Sequence, residues 1–180
     1  MIIIDGTEEI EYEGSTCVAI GKFDGIHLGH QKLIKEMVKE NGLLPVVFTF
    51  SFASEVFLKN VQRILSDEER REKFRSLGVE ILVEYDLNAD TCKIMPEDFV
   101  RDILIKRLHV KKIFCGPDLS FGYMGKGNVE LLKRMASELD IKVCVVEKVK
   151  YGGLPISSTR IRKAIENGNQ KKADKMMGNC

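Results

Sequence analysis

The sequence predicts an α/β fold in which a mostly parallel sheet carries helices on both faces. Short runs of β-branched and aromatic residues alternate with helical patterns of roughly 10 to 15 residues along the 180-residue chain. This alternation is typical of right-handed βαβ crossovers, which cover both faces of a parallel sheet. Three glycine-rich or polar loops, at 21–30, 116–127 and 151–162, also follow predicted strands. Because α/β sheets bind ligands at the carboxyl ends of their strands, we expect these loops to converge.

The first half of the chain contains two predicted strand–helix units. The apolar run 17–20 predicts a strand, and an amphipathic pattern from residue 28 to about 41 predicts a helix that a glycine ends. β-branched and aromatic residues at 45–50 predict the second strand. A capping-box sequence opens a further helix, which we expect over residues 66–78.

The second half of the chain continues the alternation. Apolar residues at every second position predict a strand at 79–85, and a proline at the helix start precedes a predicted helix at 97–109. Apolar runs predict strands at 112–116 and 142–149, with a helix at about 128–139 between them. The last two predicted helices begin near Ser158 and near Asn169.

The first loop joins a strand to a helix start and predicts a phosphate site. Its three glycines let the backbone approach a ligand closely, and the helix start directs unpaired N–H groups and its positive end towards the turn. His27 and His30 can both donate hydrogen bonds to one phosphoryl group and stabilise the charge that develops on it. Two other interpretations are metal ligands and ordinary polar residues. The metal interpretation is weaker because His109, the only other histidine, lies far along the chain.

The third loop predicts a second anion site. The hydroxyls of Ser157, Ser158 and Thr159 precede or open a helix, and Arg160 and Arg162 lie near its open end. An ordinary N-cap with solvated arginines is the alternative. Adenylyl transfer needs one group of donors on the reacting phosphorus and another on the departing pyrophosphate, and the two helix starts match this need.

The middle loop contains a carboxylate, two aromatic residues and a lysine. Phe121 and Tyr123 can stack on a flat ring, and Asp118 can bond a ring edge or a ribose hydroxyl. The alternative is a surface loop that its own aromatic residues hold in place. Spacing alone does not choose between the two interpretations.

Composition argues against several classes of protein. Hydrophobic residues make up 44% of the chain and the formal net charge is +1, which predicts one globular domain and argues against broad nucleic-acid binding. Apolar runs stay well short of the ~18 residues of a membrane span, and signal-peptide features are missing at the N-terminus. We therefore expect a cytoplasmic protein with no membrane contact. The five cysteines show no CxxC spacing, so we expect free thiols.

Taken together, these motifs resemble the FMN adenylyltransferase module of bacterial FAD synthetases, the N-terminal half of the bifunctional riboflavin kinase/FMN adenylyltransferases. Four segments carry the similarity in the family's order: GKFDGIHLGHQKLI, FTF, CGPDLSFG and ISSTRIR. The resemblance implies a Rossmann-like HxGH nucleotidyltransferase fold as a single domain over residues 1–180, without a riboflavin kinase domain. It also implies the reaction of ATP with FMN to give FAD and pyrophosphate, with Mg²⁺.

The resemblance further implies roles for individual residues. The catalytic residues would be His27, His30 and Arg162, with the histidines stabilising the α-phosphate in the transition state and no covalent intermediate. The ATP-binding residues would be Gly21, Phe23, Asp24, Gly29, Ser157, Ser158, Thr159 and Arg160. The flavin-binding residues would be Phe50, Asp118 and Phe121. None of the residues of the chain is expected to be a metal ligand. A separate riboflavin kinase would supply FMN.

The chain departs from the family pattern at three places. Lys22 stands where the family usually has Asn, and Ser51-Phe52-Ala53-Ser54 replaces a Pro-His-Pro element that shapes the flavin side. The sequence also stops after a predicted short helix at 172–178. Two other functions therefore remain open. They are adenylyl or cytidylyl transfer to another phosphomonoester, and a non-catalytic module that binds flavin or nucleotide.

Overall fold

Six short runs rich in apolar residues form one parallel sheet in the computed structural model, which describes residues 1–5, 14–51 and 63–179. Its strands are β1 Ile2–Asp5, β2 Thr16–Ile20, β3 Leu44–Phe50, β4 Ile81–Tyr85, β5 Val110–Cys115 and β6 Lys142–Val145. Their order in the sheet is β1-β4-β3-β2-β5-β6, and every neighbouring pair is parallel. The predicted parallel sheet is therefore confirmed.

Helices of the described residues connect or follow these strands. They are α1 Leu28–Val38, α2 Asp67–Ser76, α3 at 96–107, α4 Val129–Glu138, α5 Ser158–Glu166 and α6 Gln170–Met177. Helix α3 begins as an α-helical turn, Pro96–Asp98, and continues as a π-helix, Phe99–Arg107. A two-stranded hairpin of β7 Lys150–Tyr151 and β8 Leu154–Pro155 precedes α5.

Local signals place the helix starts correctly. Ser66 accepts a hydrogen bond from the backbone N–H of Glu69, and the Glu69 carboxylate bonds the Ser66 backbone N–H in return. This capping box opens α2 as predicted. Helices α1 and α5 begin at Leu28 and Ser158, also as predicted.

The alternating side chains of the strands divide the apolar interior into two layers. One face of the sheet packs against α3 and α4, and the other packs against α1, α2, α5 and α6. Val18 and Phe48 belong to the first layer, whereas Ala19 and Val47, one residue away on the same strands, belong to the second. Helices on both faces are thus confirmed.

Strand β1, at the edge of the sheet, is not among the strands that the sequence pattern predicts. Its four residues pair in register with β4, from Ile2 opposite Ile81 to Asp5 opposite Glu84. Ile2 remains 63% exposed, because β1 is an edge strand. So short and half-buried a segment gives little periodic signal, and it becomes a strand through its long-range partner.

The predicted strand at 142–149 was too long. Strand β6 ends at Val145, which pairs with Cys115, the last residue of β5. Strand β5 ends at Cys115, so the residues from 146 to 149 have no further strand partner beside them. The predicted end of α1 was also about three residues too late.

The predicted thiol state agrees with the structure. Within the described ranges the cysteines are free, with Cys17 and Cys115 buried and Cys92 and Cys144 partly exposed. Burial raises the pKa of both Cys17 and Cys115 to about 11, so these thiols are unreactive at neutral pH.

Candidate active site

The strand order places a crevice at the carboxyl ends of β2 and β5. From β2 the chain proceeds to β3 and β4 on one side, and from β5 to β6 on the other, so the loops that leave these two neighbouring strands diverge. A cavity of about 390 Å³ lies there. Its lining comes from four segments, 20–33, 116–120, 146–149 and 156–158. The predicted convergence of the three loops is confirmed, and segment 146–149 is an addition.

The two histidines meet at the start of α1. His27 is the N-cap, and its Nδ1 accepts a hydrogen bond from the backbone N–H of His30 at 3.4 Å. The two imidazole rings stack with centroids 3.7 Å apart and planes 15° apart. Because Nδ1 of His27 is an acceptor, the neutral ring carries its proton on Nε2 and keeps one N–H donor for a ligand.

Burial keeps both imidazoles neutral at physiological pH. It lowers the pKa of His27 from 6.5 to about 4, and it lowers the pKa of His30 well below 6.5, with the neighbouring His27 adding to that shift. The Nδ1 atom of His30 is buried and has no hydrogen-bond partner among the described residues. Such an orphaned polar atom is costly, and beside a cavity it is typical of binding machinery.

These depressed pKa values predict a loss of stability in acid. Between pH 6.5 and 4 the unfolded state takes up protons at histidine that the folded state does not, so the free energy of unfolding falls as pH falls through this window. The His27 shift corresponds to roughly 3 kcal/mol. We expect His27→Asn, which retains an N-cap acceptor, to make this pH dependence shallower in urea unfolding at several pH values. An equally steep fall in the variant would contradict the assignment.

Three residues, Gly21, Phe23 and Gly29, support the histidine pair or leave room for it. The Phe23 ring is fully buried and meets the edge of His30 at a centroid distance of 5.1 Å. A Cβ on Gly21 would lie 3.1 Å from that ring, and a Cβ on Gly29 would lie 3.2 Å from the ring of His27. Gly21 and Gly29 therefore leave room for the rings, and Phe23 acts as the packing support of His30.

An ion pair ties the start of α1 to α5. The Arg162 guanidinium donates to the carboxylate of Asp24, which is 6% exposed. The Ser158 hydroxyl donates to the Asp24 carbonyl at 2.8 Å, and the backbone N–H of Ile64 donates to the Asp24 carboxylate at 3.3 Å. This network fixes the two helix N-termini relative to each other.

The polar residues at the start of α5 have different surroundings. Ser157 is the N-cap, and both Ser157 and Ser158 line the cavity. Arg160 donates to the carbonyls of Tyr151, Leu154 and Pro155, so its guanidinium holds the β7–β8 hairpin. Four of the residues predicted to bind ATP or to take part in catalysis are not among the described residues that line the cavity. They are Asp24, Thr159, Arg160 and Arg162. Their predicted roles in ATP binding or catalysis stay predictions.

The three predicted flavin-side residues do not share one environment. Asp118 lines the cavity and its carboxylate accepts from Lys148 Nζ at 2.7 Å. Phe121 is buried against Phe99, with ring centroids 5.6 Å apart, and against the backbone of Gly127. The loop is therefore held by the core rather than open around its aromatic residue, and a flavin contact of Phe121 stays a prediction.

Phe50 ends β3, and its carbonyl accepts from the buried Arg70 at 3.3 Å. Ser51 follows and donates to the Asp86 carboxylate at 3.0 Å. Of the departure at 51–54, residues 52–54 lie outside the described residues. The predicted flavin contact of Phe50 is therefore also left as a prediction.

Sequence reasoning missed segment 146–149, and with it Lys148. The signal was present, because a pair of charged residues at 147–148 interrupts the apolar run. Within the described ranges, no group of three or more His, Cys, Asp or Glu side chains is arranged to hold a metal ion. The same residues contain no helix of the length and apolar character needed to cross a membrane.

The strand order and the position of the cavity put this protein in the class of Rossmann-like nucleotidyltransferase folds. A pantoate-beta-alanine ligase of Francisella tularensis, solved with beta-gamma ATP and beta-alanine, has this fold in common with it. The TM-score is 0.60 at 17% identity, over 94% of this chain and 77% of the ligase.

The chain belongs to the FAD synthetase family, whose sequence model matches residues 9–160. A FAD synthetase of Listeria monocytogenes is 31% identical, over 89% of this chain and 68% of that protein. A bifunctional riboflavin kinase/FMN adenylyltransferase of Buchnera aphidicola is also 31% identical, over 99% of this chain. The chain spans 60% of that relative's length. A solved structure described as a macrolide-efflux protein of Streptococcus pneumoniae superposes with a TM-score of 0.85 at 32% identity, over 99% of this chain and 60% of that one.

Proposed function

We propose that the protein transfers AMP from ATP to FMN and so makes FAD and pyrophosphate. A phosphate oxygen of FMN attacks the α-phosphorus of ATP, and the bond from that phosphorus to the oxygen bridging to the β-phosphate breaks. Pyrophosphate leaves with that bond's electron pair. The observation that carries the proposal is the meeting of two helix N-termini, α1 and α5, with a pair of stacked neutral imidazoles at one cavity.

Each helix start has a distinct role in the proposed reaction. His27 and His30 donate hydrogen bonds to the α-phosphate, where negative charge develops in the transition state. Ser157 and Ser158 and the first backbone N–H groups of α5 face the departing pyrophosphate. The cavity volume of about 390 Å³ lies within the usual range for small-molecule sites. Asp118 lines the cavity from the loop after β5 and would bond a ribose hydroxyl or a ring edge.

The nucleotide would enter as its magnesium complex. Mg²⁺ is usually held by substrate phosphates, waters and only one or two carboxylates. The phosphates of ATP would therefore supply most of the ligands of such an ion. Bound there, the ion would neutralise phosphate charge. The roles proposed above for the histidines and serines are carried out by these side chains and not by the ion.

Pyrophosphate release from Mg-ATP tests the function directly. Purified protein is incubated with FMN, riboflavin, phosphopantetheine or no acceptor, while FAD is followed by chromatography. We expect pyrophosphate release that requires FMN and equals the FAD formed. Riboflavin has no phosphate to act as nucleophile and should give no release.

The same assay separates the alternatives. Release with another phosphomonoester but not with FMN would redirect the proposal to a different acceptor. Binding of ATP and FMN without any release would favour a non-catalytic binding module. The cytoplasmic location, a single domain over residues 1–180 and a separate riboflavin kinase that supplies FMN remain predictions, as does the use of Mg²⁺.

A further inference from the structure

An ion pair links two of the segments that line the cavity, and the sequence did not predict this link. Lys148, in the segment after β6, donates from Nζ to the carboxylate of Asp118, in the loop after β5, at 2.7 Å. Both residues line the cavity. Their side chains are 38% and 69% exposed, so the pair lies at the solvent side of the cavity.

The backbone that carries Lys148 is held on both sides. The N–H of Val146 donates to the carbonyl of Cys115 at 2.8 Å, and the N–H of Ile156 donates to the carbonyl of Val149 at 2.9 Å. These bonds anchor residues 146–149 between β5 and the start of α5. The flexible four-carbon stem of Lys148 can therefore move its ammonium group over the cavity while its backbone stays in place.

The charged residues that line the cavity give it no excess of positive charge with which to bind a phosphate. Among the described residues that line it, Lys22 and Lys148 are balanced by Asp118 and Glu147. Both histidines are neutral because burial lowers each pKa. The arginines of α5 already bond Asp24 and the hairpin carbonyls. A polyphosphate ligand carries several negative charges, and an ammonium group near its path would compensate one of them.

We propose that Lys148 binds the polyphosphate of the nucleotide, and that Asp118 competes with the phosphate for its ammonium group. The inference rests on the proposed function for the identity of the nucleotide, but not for the presence of an anion site. An exposed Lys–Asp pair is only weakly stabilising in water, so its exchange costs little. A charge-assisted hydrogen bond to a phosphate oxygen is stronger, and it releases Asp118 for a hydroxyl of the substrate.

This exchange predicts effects of opposite sign at the two residues. Removing the ammonium group should weaken anion binding, whereas neutralising the carboxylate should strengthen it, because the competitor is lost. A pair that only braced the two loops would give changes in the same direction. Inorganic pyrophosphate is the suitable probe, since it contains no ribose or ring that Asp118 could bond.

Isothermal titration calorimetry with inorganic pyrophosphate at low ionic strength makes the test. We expect Lys148→Ala to bind about 10-fold more weakly than the wild type, which corresponds to about 1.4 kcal/mol. We expect Asp118→Asn to bind about 3-fold more tightly. Lys148→Arg should retain binding. The matched control is Lys150→Ala, an exposed lysine on β7 two residues away, which should bind within about 2-fold of the wild type.

Three results would overturn the inference. They are weaker binding in both Asp118→Asn and Lys148→Ala, equal binding in Lys148→Ala and Lys150→Ala, and no binding of pyrophosphate to the wild type. Melting temperatures of all variants identify any that fail to fold, and if Lys148→Ala does, Lys148→Met, which keeps the stem without the charge, takes its place with the same expected loss of about 10-fold. The FAD-forming assay is read separately. A wild type that makes FAD while the binding pattern fails removes only this inference, whereas the expected binding pattern without FAD formation removes only the proposed acceptor chemistry.

Discussion

We expect His30→Ala to lower the turnover of the proposed FAD formation by about 10²–10³-fold, while the dissociation constant of ATP should change by less than about 2-fold. The reason is that the proposed hydrogen bond from His30 strengthens as charge develops on the α-phosphate and contributes little to the ground state. The stacked ring of His27 and the edge contact with Phe23 hold this donor in place. The measurement is kcat from FAD chromatography, together with calorimetric binding of ATP.

His109→Asn is the matched control for this variant. His109 precedes β5, at the opposite end of the strands from the cavity, and Asn tolerates its left-handed backbone at φ 50°. Its turnover should equal that of the wild type. Near-normal turnover in His30→Ala would remove the proposed mechanism. Equal losses in ATP affinity and in kcat/KM, with kcat retained, would show ordinary ground-state binding instead.

The second large effect concerns stability. Arg162→Ala should lower the free energy of unfolding by about 3 kcal/mol, because it leaves the carboxylate of Asp24 buried without its cation. Turnover should fall as well, since Asp24 lies in the turn that leads into His27 and is bonded to Ser158 at the start of α5. Urea unfolding at pH 7 measures the first effect and pyrophosphate release measures the second.

A double variant separates the lost pair from the lost side chain. Asp24→Asn combined with Arg162→Met removes both charges, so it should be less destabilised than Arg162→Ala alone. Lys163→Ala changes the exposed neighbouring residue of α5 and should unfold like the wild type. An Arg162→Ala protein within about 0.5 kcal/mol of the wild type would show that the ion pair contributes nothing measurable.

Some features of the site can be predicted from the sequence, and others cannot. The start of α1 and the two histidines follow from a glycine-rich turn and a helical pattern, which are local features. The stacking of the two rings is visible only in the folded structure. Their neutrality results from burial, which lowers the pKa and which no local pattern reveals. Phe121 shows the same limit. Its sequence neighbours suggest an exposed loop, but it packs against Phe99, which lies on α3.

The sequence by itself determined the class of fold, the positions of most strands, and the starts of α1, α2 and α5. These features depend on side-chain periodicity and on caps within one turn of helix, so nearby residues suffice. Only the tertiary structure decided the edge strand β1, the end of β6 and the ion pairs of Asp24 with Arg162 and of Asp118 with Lys148. The first of these pairs joins residues 138 positions apart. Such contacts exist only after the sheet order has brought separate loops to one edge, where burial and charge select the partners.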